Sequence, residues 1–186
     1  MTDDGEDIMA FADAAEWESW LAGNHDRARG VWLKIAKKDS GGSSVTIADA
    51  LDVALCYGWI DSQRRGLDAT HYLQRYSPRR PGSAWSRVNV DKVEALIAAG
   101  RMREPGHAQI AAAKADGRWE AAYESQRNAT IPDDLAAALA QNERARERFD
   151  QLARTEQYAL FLRLMKARTP ASRAVQLERT IAELSA

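Results

Sequence analysis

Arginine, tryptophan and hydroxyl side chains are concentrated in one stretch of this sequence, between Cys56 and Asn89. An arginine guanidinium binds a carboxylate or phosphate through two parallel hydrogen bonds, and an indole ring can stack on a planar ligand. Backbone N–H groups at a helix start also favour an anion. The stretch therefore predicts a site for an anionic or planar small ligand. Its candidate residues are Trp59, Asp61, Gln74, Arg75, Arg79, Arg80, Ser83, Trp85, Ser86 and Asn89.

Two alternative functions use the same residues. Interleaved basic and aromatic side chains are typical of proteins that bind single-stranded nucleic acid, although a net charge of −1 speaks against this class. An enzyme would instead use Asp61 as its acid or base and the arginines to hold an anionic substrate. Nearby arginines are expected to lower the pKa of Asp61, which weakens it as a base and favours a structural ion pair. The favoured prediction is a non-enzymatic binding protein.

The motifs of familiar enzyme classes are missing from the sequence. It contains no phosphate-binding loop of the nucleotide hydrolases, no glycine motif for dinucleotides and no nucleophile elbow. His25, His71 and His107 have no partner at metal-ligand spacing, so no metal or other cofactor is expected. Cys56 follows an apolar helical pattern, where burial is expected to raise its pKa and make it inert.

Length and composition are those of an ordinary globular protein. The chain has 186 residues, of which 45% are hydrophobic and 28% charged, enough for one core with a helical appendage. A single cysteine excludes an internal disulfide framework and suits a reducing compartment. Acidic Asp3, Asp4, Glu6 and Asp7 do not fit a signal peptide, and no apolar run approaches the roughly 20 residues of a transmembrane helix. A cytoplasmic location is predicted.

Short strands are predicted around the Arg- and Trp-rich stretch. Within residues 30–38, Val31, Leu33 and Ile35 alternate with other residues, the period expected of a half-buried strand. Residues 59–64 and 70–76 predict a hairpin whose loop contains Gly66. The expected sheet is small and antiparallel.

Helices are predicted from their capping residues. Asp13 and Thr46 are expected to cap helices before and after the first strand, and Asn89 to cap a helix that Gly100 ends. Pro132 is expected at the first position of a later helix. The predicted fold class is α+β, with the antiparallel sheet flanked by helices and followed by an all-helical C-terminal region.

Tryptophan is absent after the segment near Asn128, where the sequence becomes rich in Ala, Arg and Leu. This change predicts an α+β domain over 1–128 and a helical region over 129–186. Basic and acidic residues are mixed along the helical region, as on a solvated surface. The region is also a candidate docking surface for a protein partner.

Several motifs together resemble the bacterial YdeI/OmpD-associated family, also labelled bacteriocin-protection proteins. They are Ala54–Ser62, Gln74-Arg75, Pro78-Arg79-Arg80, Ser83-Ala84-Trp85-Ser86 with Asn89, and Gly100-Arg101-Met102. The resemblance spans nearly the whole chain, through Pro132 to Thr169-Pro170 and Arg173. It implies a stress-response role in tolerance of bacteriocins or antimicrobial peptides, and association with an outer-membrane porin. It supplies no catalytic residue.

Overall fold

The computed structural model describes residues 7–186, in which four strands and eight helices are formed. Asp3, Asp4 and Glu6, which enter the prediction that no signal peptide is present, lie outside the described residues. The elements in chain order are β1 (Ile8–Met9), α1 (Ala14–Ala22), β2 (Val31–Ala36), α2 (Ile47–Cys56), β3 (Trp59–Gly66), β4 (His71–Pro78), α3 (Arg87–Ala98), α4 (Glu104–Ala115), α5 (Asp133–Ala140), α6 (Glu143–Asp150), α7 (Arg154–Met165) and α8 (Pro170–Ser185). The α+β class with a helical C-terminal region is confirmed.

The four strands form one sheet in the order β1-β2-β4-β3. Strand β4 pairs antiparallel with both β2 and β3, whereas β1 runs parallel to β2 with Ile8 opposite Trp32. The sheet is therefore mixed, and the prediction of a purely antiparallel sheet was wrong at β1. A strand of two residues is too short to show a period of two, so the sequence pattern could not reveal it.

The two faces of the sheet differ in what covers them. Tyr76 of β4 pairs with Val31 of β2 and Asp61 of β3, and paired residues point to the same face. This inner face packs against α1, where the ring of Trp17 lies 5.9 Å from that of Tyr76. The opposite, outer face carries Trp32 and its pair Arg75.

Aromatic rings fill the core beneath the inner face. Trp17 stacks on Trp20 with ring centroids 5.4 Å apart and meets Trp59 edge-on at 6.2 Å. Such pairs contribute about 0.5–1.5 kcal/mol each beyond their buried area. The indole N–H of Trp17 donates to the carbonyl of Ala50 at 3.1 Å, which ties α1 to α2. The hairpin is therefore held against a rigid base.

Two predicted helix caps are confirmed and two helix starts were wrong. Asp13 accepts a hydrogen bond from the N–H of Glu16, and Thr46 from that of Asp49. Helix α3, however, begins at Arg87, so Asn89 lies inside the helix. The N–H of Arg87, in the first turn of the helix, donates to the carbonyl of Tyr123, a backbone partner distant in sequence.

Pro132 differs from its prediction by one position. It is the N-cap residue of α5, with an extended ψ of 140°, and the helix itself begins at Asp133. Proline has no backbone N–H to donate, and the helix needs no donor at this position.

The described chain divides into two compact units. The first contains the residues up to Ser83 together with Asn89–Glu120, and the second contains Ala84–Val88 together with Ala121–Ala186. The second unit has its own apolar core, in which the rings of Phe149 and Phe161 lie 6.1 Å apart. Within 7–186, no helix is both long and apolar enough to cross a membrane.

Candidate functional site

A cavity of about 750 Å³ lies in the first unit, over the outer face of the β3–β4 hairpin. Ile60 and Ser77, which pair across the hairpin, both line it. The full lining of this outer-face cavity is Ala28, Arg29, Gly30, Ile60, Ser62, Gln63, Arg75, Ser77, Pro78, Arg80 and Ser83. These described residues include three arginines and three serines but no acidic side chain. The lining is therefore rich in hydrogen-bond donors and formally positive.

Gly30 brings the turn before β2 into close contact with β4. A Cβ atom added at Gly30 would lie 2.3 Å from the carbonyl oxygen of Tyr76 and 2.7 Å from the Cβ of Ser77. Because only glycine permits this approach, Arg29 is carried to the edge of the outer-face cavity.

A β-bulge in β3 contributes two further lining residues. The register of the hairpin shifts between Asp61 and Arg64, and the intervening Ser62 and Gln63 both line the cavity. Bulges bend a strand and change the direction of its side chains. The irregularity therefore turns polar groups of an edge strand toward the site.

The turn after β4 supplies Arg80 and Ser83. The N–H of Ser83 donates to the carbonyl of Arg80 at 3.0 Å, and Gly82 takes the positive φ of 76° that the turn requires. The guanidinium of Arg118 donates to the carbonyl of Ser83 at 2.8 Å and is held in turn by Asp116 at 2.7 Å. This part of the cavity wall is thus fixed from behind.

Arg75 connects the cavity to a cation–π arrangement on the outer face. Its guanidinium lies 5.9 Å from the ring centroid of Trp32, and that of Arg65 lies 4.1 Å from the same ring. The indole of Trp32 is only 3% exposed. The electron-rich ring favours keeping two positive charges on this face.

Three of the sequence-predicted site residues line the outer-face cavity: Arg75, Arg80 and Ser83. Trp59 belongs to the aromatic core; it is fully buried, and its indole N–H donates to the carbonyl of His25 at 2.8 Å. Gln74 is also buried, at 2% exposure. In this structure the ring of Trp59 offers no face for stacking on a ligand.

The remaining predicted residues lie elsewhere. Arg79 is buried, and its backbone N–H donates to the carbonyl of Gly58 at 3.0 Å. Trp85, also buried, and Ser86 belong to the second unit, while Asn89 lies on α3 in the first. The cavity therefore draws together only part of the predicted set.

Asp61 lies on the inner face, because it pairs with Tyr76, and it does not line the outer-face cavity. Desolvation by burial raises its pKa, and this effect outweighs the opposing charges of Arg64 and Arg79. The arginines lower the pKa of Asp61 as expected, but burial, which the sequence pattern does not reveal, makes the net shift upward. Cys56 is buried as expected, and this burial raises the pKa of its thiol to about 11.

Five lining residues with polar groups or a close backbone approach were missed by the sequence analysis. They are Arg29, Gly30, Ser62, Gln63 and Ser77. Ser77 is two residues beyond Arg75 in a strand, so the period of two could have placed both on one face. Arg29 and Gly30 lie in an irregular turn, where no periodic signal exists.

Two family models match separate parts of the chain, and the boundary between them lies near the boundary of the two compact units. A family model described as Domain of unknown function (DUF8412) matches residues 9–109, and these include every residue that lines the cavity. The model described as Bacteriocin-protection, YdeI or OmpD-Associated matches residues 128–186, a shorter part of the chain than the sequence resemblance implied. No curated protein and no solved structure matches the chain. The C-terminal match agrees with the sequence resemblance over residues 128–186, and the model that covers more than half of the chain shows that the chain belongs to the DUF8412 family.

Proposed function

We propose that this protein is a non-enzymatic binder of an anionic small ligand, which it holds in the outer-face cavity as part of bacteriocin or antimicrobial tolerance. The proposal rests on one observation. Arg29, Arg75 and Arg80 come from three separate segments of the first unit and line the same cavity, whose lining contains no carboxylate. An anion in this cavity would be attracted by all three guanidinium groups and would meet no carboxylate in the lining.

The chemistry of the lining supports an anion in particular. Guanidinium groups donate hydrogen bonds and cannot accept them, and serine hydroxyls can donate as well. The hairpin and the Arg118-supported turn place these donors on ordered backbone. Donors that are already in position bind an oxyanion with little loss of conformational entropy. Such binding needs no catalytic group.

The alternative functions have less support. An enzyme based on Asp61 would need this carboxyl beside the arginine-lined cavity, but its pairing with Tyr76 directs it to the other face of β3. Nucleic-acid binding by stacking would need exposed rings, and Trp59 and Trp85 are both buried. The tolerance role is supported by the description of the family model that matches residues 128–186.

The test uses benzenesulfonate as a permanently charged probe and benzenesulfonamide as its neutral counterpart. We expect calorimetry at low salt to show binding of the anion and not of the amide. The double variant Arg75→Gln/Arg80→Gln should weaken anion binding at least about tenfold, since hydrogen bonds to charged groups contribute about 1.5–3 kcal/mol each.

The matched control removes two positive charges from the second unit through Arg144→Gln/Arg179→Gln. It should keep the wild-type affinity, and the melting temperatures of both variants should show that each is folded. Equal affinity of the wild type and the Arg75/Arg80 variant would refute the proposed site.

A further inference from the structure

The outer-face cavity offers more positive charge and more donors than one carboxylate can use. Arg29, Arg75 and Arg80 bring three positive charges, and Ser62, Ser77 and Ser83 bring three hydroxyl groups. A carboxylate has two oxygens and a single charge. One such ligand therefore matches only part of the charge and of the donors that the lining presents.

We propose that the anion is the doubly charged phosphoryl group of a phosphate monoester, an assignment that rests on the proposed function above. A phosphate monoester carries three strong acceptor oxygens and a charge of about −1.5 to −2 near neutral pH. Arginine forks match the geometry of these oxygens, and hydroxyl donors can occupy the acceptor positions that remain.

The dimensions of the cavity leave room for an organic group beside the phosphoryl group. Its volume of about 750 Å³ falls within the range typical of sites for small organic ligands. Ile60 and Pro78 give the lining an apolar part, whereas no aromatic ring of the described chain lines it. The organic part of the ligand is therefore recognised by apolar contact and not by stacking.

A dianion preference has a measurable signature in pH. The second pKa of a phosphate monoester is about 6, so the dianion makes up roughly a tenth of the ligand near pH 5 and nine tenths near pH 7. The charged groups facing the cavity are Arg29, Arg75 and Arg80, and its lining contains no imidazole, carboxyl or thiol. Behind the hairpin, Asp61 and Arg64 face the inner side.

The experiment compares phenyl phosphate with benzenesulfonate, a monoanion at both pH values, by calorimetry on the full chain. We expect phenyl phosphate to bind several-fold more tightly near pH 7 than near pH 5, with about tenfold as the upper limit because its monoanion also binds, and benzenesulfonate to bind equally at both. The sulfonate corrects for any titration of the protein itself, including that of Asp61.

The variant Arg29→Gln links the preference to the cavity. Removing one of three charges should reduce the advantage of phenyl phosphate over benzenesulfonate several-fold near neutral pH, while Arg179→Gln in the second unit should leave it unchanged. Arg29 is exposed, so the substitution should not affect folding.

Three results would overturn the assignment. If benzenesulfonate binds and phenyl phosphate shows no pH dependence beyond it, the phosphoryl assignment fails while the anion site stands. If the dicarboxylate phthalate binds more tightly than phenyl phosphate near neutral pH, the ligand is a dicarboxylate. If no anion binds at either pH, the proposed function fails with it.

Discussion

The side-chain amide of Gln74 in β4 donates a hydrogen bond of 3.1 Å to the backbone carbonyl of Gln63, within the bulge of β3. The amide oxygen of Gln74 accepts from Nε of Arg64 at 3.0 Å. Sequence analysis assigned Gln74 to the ligand, but the residue is buried and holds the strand segment that presents Ser62 and Gln63 to the cavity. Its role in the structure is to position those residues.

Replacing Gln74 with leucine should therefore weaken both the fold and the site. The change removes both hydrogen bonds of the buried Gln74 amide, and a typical hydrogen bond contributes about 0.5–1.5 kcal/mol. We expect a lower urea midpoint and weaker binding of benzenesulfonate. Gln126→Leu is the control, because the bond from Gln126 to Thr155 is exposed. Equal shifts of the two midpoints would contradict the positioning role.

Alanine at Gly30 should destabilise the protein. Its Cβ would lie 2.3 Å from the carbonyl oxygen of Tyr76, so the turn and β4 must move apart. Overpacking of this kind costs about 1–3 kcal/mol. Gly66→Ala is the matched control, because a Cβ there meets nothing within 4 Å. Chemical denaturation of both variants should show the loss at Gly30 only; a similar effect at both sites would show that the close approach is unimportant.

Because the pKa of Asp61 is raised, replacing Asp61 with asparagine should increase the free energy of unfolding in a pH-dependent way. A folded-state pKa above the unfolded value means that the folded protein binds the proton more tightly. The wild-type free energy of unfolding therefore falls as pH rises through that pKa. We expect the variant to be more stable than the wild type near neutral pH. This advantage should shrink as pH falls to about 3.9, the usual aspartate value.

Urea denaturation of the wild type and the Asp61→Asn variant across this pH range measures the effect. Asp91→Asn, at an exposed position of α3, serves as the control. A variant that loses stability relative to the wild type as pH rises would show that Arg64 and Arg79 stabilise the carboxylate more than burial destabilises it.

Arg173, a half-buried arginine of the second unit, should be sensitive even to replacement by lysine. Its guanidinium donates to both carboxylate oxygens of Asp134, at 2.7 and 2.9 Å, and to the carbonyl of Leu164 at 2.9 Å. Lysine cannot reproduce this fork, so Arg173→Lys should cost about 1–2 kcal/mol in thermal or urea unfolding. Arg179→Lys, at an exposed position of the same helix, should change stability by less than about 0.5 kcal/mol.

The same pair has the opposite pH dependence to Asp61. Hydrogen bonding to Arg173 is the main cause that lowers the pKa of Asp134. Because the pKa of Asp134 is lowered, its ionised form stabilises the protein at pH values above the usual aspartate pKa, and this stabilisation is lost as pH falls. The difference between wild type and Arg173→Lys should accordingly decrease in acid, and a constant difference would exclude the ion pair as its source.

Local signals in the sequence predicted most of the first unit. The alternation within residues 30–38 predicted β2, which runs from Val31 to Ala36, and the caps at Asp13 and Thr46 gave the starts of α1 and α2. The start of α3 was missed because its first N–H bonds to Tyr123, a contact between residues far apart in sequence. Capping rules describe only local partners.

The candidate site was harder to predict, because it depends on which way each side chain points. Alternation places Trp59 and Asp61 together on one face, but it does not say which face the helices cover. The bulge then breaks the alternation beyond Asp61, so the directions of Gln63 and Arg64 cannot be read from spacing. Arg29 enters through the close approach at Gly30, which only the packed structure reveals.

The bulge in β3 also affects how this protein behaves toward other copies of itself. Strand β3 is an edge strand of the sheet, and a regular edge strand has unpaired backbone groups with which a strand of another chain can pair. Here the bulge interrupts that row of groups, and Arg64 and Arg65 add charge beside it. The opposite edge strand, β1, is only two residues long. Both edge strands are thus poor templates for aggregation. The bulge that shapes the cavity also helps to prevent strands of other copies from extending the sheet into a fibre.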